Sequence, residues 1–164
     1  MDAFDADVLI YAAVPGHELG RRVAALFSTG PLGKDDPPDG VGSLLLLPEV
    51  LGKPLRDGRA EEVRALAALL GRLDLRPLDR ATAELATALC RSYRLRAADA
   101  AHLATAVAVG ADRFITNNGH DIPPTVTEIQ VVYPAGLPDS GSTASVTKSM
   151  SRSIELISGV STSL

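Results

Sequence analysis

The chain has 164 residues, 46% hydrophobic and 22% charged, enough for one domain with a substantial core and too few for two ordinary ones. Its 16 Lys and Arg against 20 Asp and Glu give a formal charge of -4, which excludes nucleic-acid binding driven by net charge but leaves room for a local basic face. The 4% aromatics and the lack of Trp argue against a base-stacking platform, and the single cysteine, Cys90, excludes an internal disulfide and a multi-cysteine zinc site.

The start, Met1-Asp2-Ala3-Phe4-Asp5, lacks the basic opening of a signal peptide, and no apolar run reaches the roughly 18 residues that span a bilayer. A soluble protein of the reducing cytoplasm, without membrane attachment, is expected. By periodicity alone, Phe4 to Ala13 reads as one strand. Leu19, Val23, Leu26 and Phe27 share a helical face, so a helix should end near Gly30. Pro31 to Gly42, with Lys34-Asp35-Asp36-Pro37-Pro38-Asp39-Gly40 inside it, reads as a loop. Leu44 to Leu47 is a buried strand or a helix start, followed by Pro48-Glu49. Val63, Leu66, Ala67, Leu70 and Leu73 mark an amphipathic helix, whose Val63/Leu66/Leu70 face is either core or a contact surface. Leu75 to Leu78 reads as a short strand, and Asp79 as the N-cap of a helix with Leu85, Leu89, Cys90 and Tyr93 on one face. Ala97 to Val109 is apolar nearly all round, which predicts a buried helix stopped by Gly110. Arg113 to Thr116 and Val126 to Tyr133 read as strands. Strands alternating with helices predict an α/β fold with a parallel or mostly parallel sheet.

Composition changes near Pro134. Nine of the 12 serines lie between Ser140 and Ser163, in a Ser/Thr/Gly-rich stretch with too little apolar surface to offset its ordering entropy. The expected organisation is a domain over 1–134 and a mobile tail over 135–164, in which Ser153 to Ile157 could form a short docking turn.

Carboxylates in apolar settings carry the functional signal, because an isolated buried charge is costly without a partner. Asp5 and Asp7 lie between Phe4 and the run Val8-Leu9-Ile10-Tyr11-Ala12. Glu49 follows Leu44-Leu45-Leu46-Leu47-Pro48, and Asp99 opens the apolar helix. Strand ends and helix starts on one edge of an open α/β sheet form its ligand crevice. Carboxylates gathered there repel one another unless a cation neutralises them, and oxygen-only ligands favour Mg²⁺ or Mn²⁺ over zinc. Taken singly, Asp99 fits a helix cap as well as it fits a ligand, and Glu49 fits a solvated helix residue better than a ligand. His102, one turn past Asp99, reads as a packing residue or one that orients a ligand, and His17 and His120 as loop or helix-start positions.

Three segments in order resemble the PIN-domain ribonucleases, and within them the VapC-type toxins of toxin–antitoxin pairs. They are Phe4-Asp5-Ala6-Asp7-Val8-Leu9-Ile10-Tyr11, Ser43-Leu44-Leu45-Leu46-Leu47-Pro48-Glu49-Val50-Leu51, and Leu95-Arg96-Ala97-Ala98-Asp99-Ala100-Ala101-His102-Leu103-Ala104-Thr105-Ala106. The third is the most specific. Ala111-Asp112-Arg113-Phe114-Ile115-Thr116-Asn117-Asn118 resembles the strand that carries the family's fourth position. The resemblance covers about Met1 to Pro134 and implies a three-layer α/β/α PIN-like fold with a mostly parallel central sheet. It also ends the first strand near Asp5 and starts a helix just afterwards, which replaces the single strand suggested by periodicity.

The resemblance further implies metal-dependent hydrolysis of RNA phosphodiesters to 5′-phosphate and 3′-hydroxyl ends. Asp5, Glu49 and Asp99 would be the catalytic acids and would hold one or two Mg²⁺ or Mn²⁺ ions, while Asp7, Thr116 and Asn118 orient ligands or water. Arg94, Arg96, Lys53 and Arg56 flank the acids in sequence and would contact phosphates. A cognate antitoxin and a homodimer are implied partners. The family's usual fourth Asp is here Asn118, which carries no charge, so one firm metal site is expected and a second should be weakened. Asp121, three residues on, could approach, although Ile122-Pro123-Pro124 suggests a loop. The substitution also supports an alternative, a PIN-fold protein that binds RNA or a partner without cutting. A haloacid-dehalogenase-type phosphatase matches Asp5-Ala6-Asp7-Val8 and Phe114-Ile115-Thr116-Asn117, but only Lys148 follows and no acidic pair does. A phosphoacceptor receiver domain would need an acidic pair ahead of a central strand-end Asp, which this sequence does not have.

Overall fold

The computed structural model of the protein describes residues 1–33 and 35–139, so the docking turn expected at Ser153 to Ile157 lies outside the described residues. Among them five short strands alternate with helices: β1 (Asp2–Phe4), α1 (Ala6–Ala12), α2 (Glu18–Ala24), β2 (Gly40–Ser43), α3 (Leu46–Arg56), α4 (Ala60–Leu70), β3 (Leu73–Arg76), α5 (Arg80–Tyr93), α6 (Ala97–Ala108), β4 (Arg113–Ile115) and β5 (Gln130–Val132). The strands form one sheet in the order β3-β2-β1-β4-β5, and every pairing is parallel. Connections from β1 lead outward to β2 and β3, then cross back to β4 on the other side. The crevice beyond the C-terminal ends of β1 and β4 is therefore the topological switch point, where ligands bind in such sheets.

Alternation along the short strands splits the core into two faces. Ala3 and Phe114 point to the face covered by α5 and α6, with Leu89, Leu103 and Ile122. Phe4 and Ile115 point to the other, with Leu9, Val23, Leu46, Leu66 and Leu70 from α1 to α4. This is the expected three-layer α/β/α arrangement. Leu66 and Leu70 are 1% and 3% exposed, so the Val63/Leu66/Leu70 face is core at two of its three positions and not a free contact surface. Leu137 is also buried, and Arg22 Nη1 donates to the Ala135 carbonyl at 2.8 Å, so packing runs a few residues past the composition break.

The first strand ends where the family pattern, rather than periodicity, puts it. Asp5 caps α1 by accepting the Ala6 N–H. Asp79 likewise caps α5 through the Thr82 N–H, and Gly110, at φ 70°, follows the end of α6. Other boundaries differ from expectation. Strand β2 occupies Gly40–Ser43, at the end of the stretch read as loop, and α3 begins only at Leu46. All four β2 residues are buried, and a Cβ at Gly42 would collide with Leu46 while one at Gly40 would meet the Phe4 ring. Small residues were needed for close packing, and they erased the apolar signal of a strand. Strand β3 starts at Leu73, two residues before its expected place, and β5 is only three residues long.

Helices α1 and α2 pack tightly at Gly20, where a Cβ would overlap the Tyr11 carbonyl. Backbone on backbone has no rotamer escape. Gly20→Ala is expected to lower stability by about 1–3 kcal/mol, read as a lower urea midpoint at unchanged m-value.

Candidate active site

Asp5 leaves the end of β1 directly into the switch-point crevice and is 4% exposed. One carboxylate oxygen accepts the Ala6 N–H at 2.8 Å and the other the Thr116 hydroxyl at 2.7 Å. Thr116, fully buried at the end of β4, also accepts the Asn118 N–H at 3.0 Å. Asp7, in the first turn of α1, accepts the Asn117 N–H at 3.0 Å through Oδ2, while its Oδ1 is buried without a partner. The start of α1 and the turn after β4 are thus tied together through two carboxylates.

Glu49 reaches the same crevice from the first turn of α3. Its Oε2 lies 2.7 Å from His102 Nε2 on α6. Asp99 stands in the first turn of α6, half-buried, and α6 has no side-chain cap hydrogen bond, so Asp99 does not serve as the cap that its position also suggested. Asp5, Ala6, Asp7, Tyr11, Glu49, Asp99, Asn117 and Asn118 line one polar cavity of about 280 Å³.

The electrostatics are those of crowded acids. Burial raises the Asp5 carboxyl above its ordinary range, against the pull of the Thr116 hydrogen bond. Burial first and the Asp5 charge second push Asp7 up to about 7. Asp99 is raised by burial and then by the charges of Asp5, Asp121 and Glu49. These groups share a field that opposes full ionisation, the condition that a bound cation relieves. The donors are all oxygen, which suits a hard divalent cation, and Asp7 Oδ1 is an orphaned buried acceptor facing no protein donor. Among the described residues, no three carboxylate, His or Cys groups already stand close enough together to hold one ion.

The match to the PIN domain family model spans residues 3–121, from before Asp5 to Asp121. The chain belongs to the PIN domain family. A solved toxin–antitoxin complex from Klebsiella pneumoniae contains a similar chain, 25% identical with a TM-score of 0.62, the likeness covering 82% of this chain and 98% of that one. The structure of FitAB bound to an IR36 DNA fragment is similar over 85% of this chain and 99% of that one, with a TM-score of 0.60; at 20% identity it shows the fold alone. No curated protein matches the chain in sequence.

The PIN fold brings Asp5, Asp7, Glu49, Asp99 and Asn118 to one cavity, with Thr116 beneath it. Arg94, Arg96, Lys53 and Arg56 lie outside its lining and are exposed. Arg94 ends α5 in the left-handed region at φ 58°, and Arg96 Nε is 3.9 Å from Asp121 Oδ2. Asp121 is held beside Asn118, whose Nδ2 donates to its Oδ2 at 3.2 Å and whose Oδ1 accepts its N–H at 3.3 Å. Sequence reasoning missed Tyr11 and Asn117. Tyr11 follows Asp7 at the helical i, i+4 spacing, which was a usable signal; Asn117 acts through its backbone N–H, which no side-chain pattern reveals. Among the described residues no helix is long and apolar enough to cross a membrane.

Proposed function

We propose that the protein is a divalent-cation-dependent endoribonuclease, the toxin of a VapBC-type toxin–antitoxin pair acting in the cytoplasm. The observation that carries this reading is the gathering of Asp5, Asp7, Glu49 and Asp99 around one polar cavity at the switch point of a PIN domain. PIN domains are generally nucleases that use divalent metals, and one structural neighbour comes from a toxin–antitoxin complex. The catalytic unit is the 1–134 body, and the 135–164 tail stands outside its chemistry. A homodimer and a cognate antitoxin complete the proposed assembly.

Asp5, Glu49 and Asp99 would hold Mg²⁺ or Mn²⁺, which when bound makes water a better nucleophile and offsets phosphate charge. The Ala6 N–H and Thr116 hydroxyl fix both oxygens of Asp5, so its carboxylate is oriented before substrate arrives. Asn117 does the same for one oxygen of Asp7. Hydrolysis forms a bond from the water oxygen to phosphorus and breaks the bond to the 3′ oxygen, which takes a proton and leaves as hydroxyl. Arg94, Arg96, Lys53 and Arg56 supply exposed positive charge for flanking phosphates.

Product ends test the reaction. Fragments should carry 5′-phosphates, resisting kinase labelling until dephosphorylated; 5′-hydroxyl ends with cyclic phosphates would mean attack by the RNA's own 2′-hydroxyl and overturn the hydrolytic reading. Thr116→Val keeps the shape but removes the Asp5 partner, and is expected to lower turnover by about 10–100-fold with a smaller change in RNA affinity. A second reading, a PIN protein that binds RNA or a partner without cutting, is favoured by Asn118 and by the lack, among the described residues, of three ligating groups close enough to share one ion.

A further inference from the structure

Helix α6 is buried from Ala100 to Ala106, and the His102 side chain within it is 1% exposed. Its Nε2 meets Glu49 Oε2 at 2.7 Å, while its Nδ1 is buried with no hydrogen-bond partner. An ionised carboxylate only accepts, so Nε2 is the nitrogen that donates. A neutral ring then leaves the Nδ1 lone pair buried and unmet, a cost that a leucine of similar bulk would avoid. His102 thus departs from the apolar character of its helix, and among the described residues its one side-chain hydrogen bond is to Glu49.

Glu49 is the longest and the most exposed of the site acids. Its side chain is 43% exposed, and among the described residues the His102 contact is its one side-chain hydrogen bond. A long carboxylate left to rotate loses more entropy on capturing a ligand than one already held. Asp5 and Asp7, by contrast, are held by groups on the β4 turn.

We infer that His102 is a positioning residue, whose Nε2–H holds Glu49 by one carboxylate oxygen and leaves the other to serve the cation. This rests on the proposed reading of Glu49 as a cation ligand. His102 touches no substrate; it acts through Glu49. The chemistry it serves is capture of a hard divalent cation by a preoriented oxygen.

The test combines Mn²⁺ calorimetry with imidazole ¹⁵N spectra of the intact chain, which are simple because the protein has only three histidines. His102→Leu should weaken Mn²⁺ binding by about 10–100-fold, and His102→Gln, which restores an N–H donor, should recover most of it. Neither change should have a further effect in a Glu49→Gln background. In the wild type, the His102 ring should be protonated at Nε2, and that resonance should move both with Mg²⁺ and with Glu49→Gln. Wild-type Mn²⁺ affinity in folded His102→Leu overturns the inference and leaves the cation reading standing. A wild-type protein that takes up no Mn²⁺ overturns both. Should His102→Leu fail to fold, the spectra decide: an Nε2 resonance indifferent to Mg²⁺ and to Glu49→Gln overturns the positioning role.

Discussion

Asp99→Asn is expected to reduce cation-dependent RNA cleavage by about 100-fold or more, some 2.7 kcal/mol of transition-state stabilisation, without lowering stability. The two outcomes have one cause. Asp99 is half-buried and its carboxyl is raised by burial and then by Asp5, Asp121 and Glu49, so in the cation-free protein its charge opposes the fold. Asn has nearly the same shape and no charge, and α6 uses no side-chain cap at its start, so no structural hydrogen bond is lost there. Cleavage assays paired with urea unfolding in chelator check both outcomes. If stability fell along with activity, Asp99 would be a structural acid rather than a ligand.

Without cation, the protein should be more stable at about pH 5 than at about pH 8, with Asp7 the main source. Asp7 is raised from 3.8 to about 7, so between those values the folded state binds its proton more tightly than the unfolded chain does. Stability from this group is fully present below 3.8 and is lost as pH rises through about 7. The full shift corresponds to about 4 kcal/mol, and screening of a carboxylate partly open to water reduces the expectation to the order of 2 kcal/mol. Asp5 and Asp99 titrate in the same direction, each raised mainly by burial. Glu128, held low by the Tyr93 hydroxyl, and Asp79, held low by the Thr82 N–H, lose their contributions only in stronger acid and do not oppose the trend. Asp7→Asn should flatten the pH profile, and saturating Mg²⁺ or Mn²⁺ should restore stability at the alkaline end. Thermal melts in chelator across this range check it, and a profile that rises toward pH 8 would contradict it.

The sheet's alternation with helices, the Asp79 cap and the Gly110 stop were legible because each depends on local periodicity or a single capping residue. The break after Phe4 was not, since Val8 to Ala12 is as apolar as a strand; only the resemblance placed the helix there. Strand β2 escaped notice because Gly40 and Gly42 hide it, their missing side chains making room for Phe4 and Leu46. Convergence of Asp5, Glu49 and Asp99 followed from the three segments taken together, and no one of them sufficed. The Glu49–His102 contact joins residues 53 apart in the chain, on helices whose relative placement only the folded sheet fixes. Spacing could show that His102 shares a face with Asp99, but not which acid it would meet.

The most direct measurement is a titration of Mg²⁺ or Mn²⁺ against a pool of structured cellular RNAs, with RNA binding followed in parallel in chelator. Discrete fragments that require the cation are the predicted result. RNA binding that persists in chelator, with no fragments at any cation concentration, would contradict the nuclease and leave Asn118 as the mark of a PIN domain that binds without cutting.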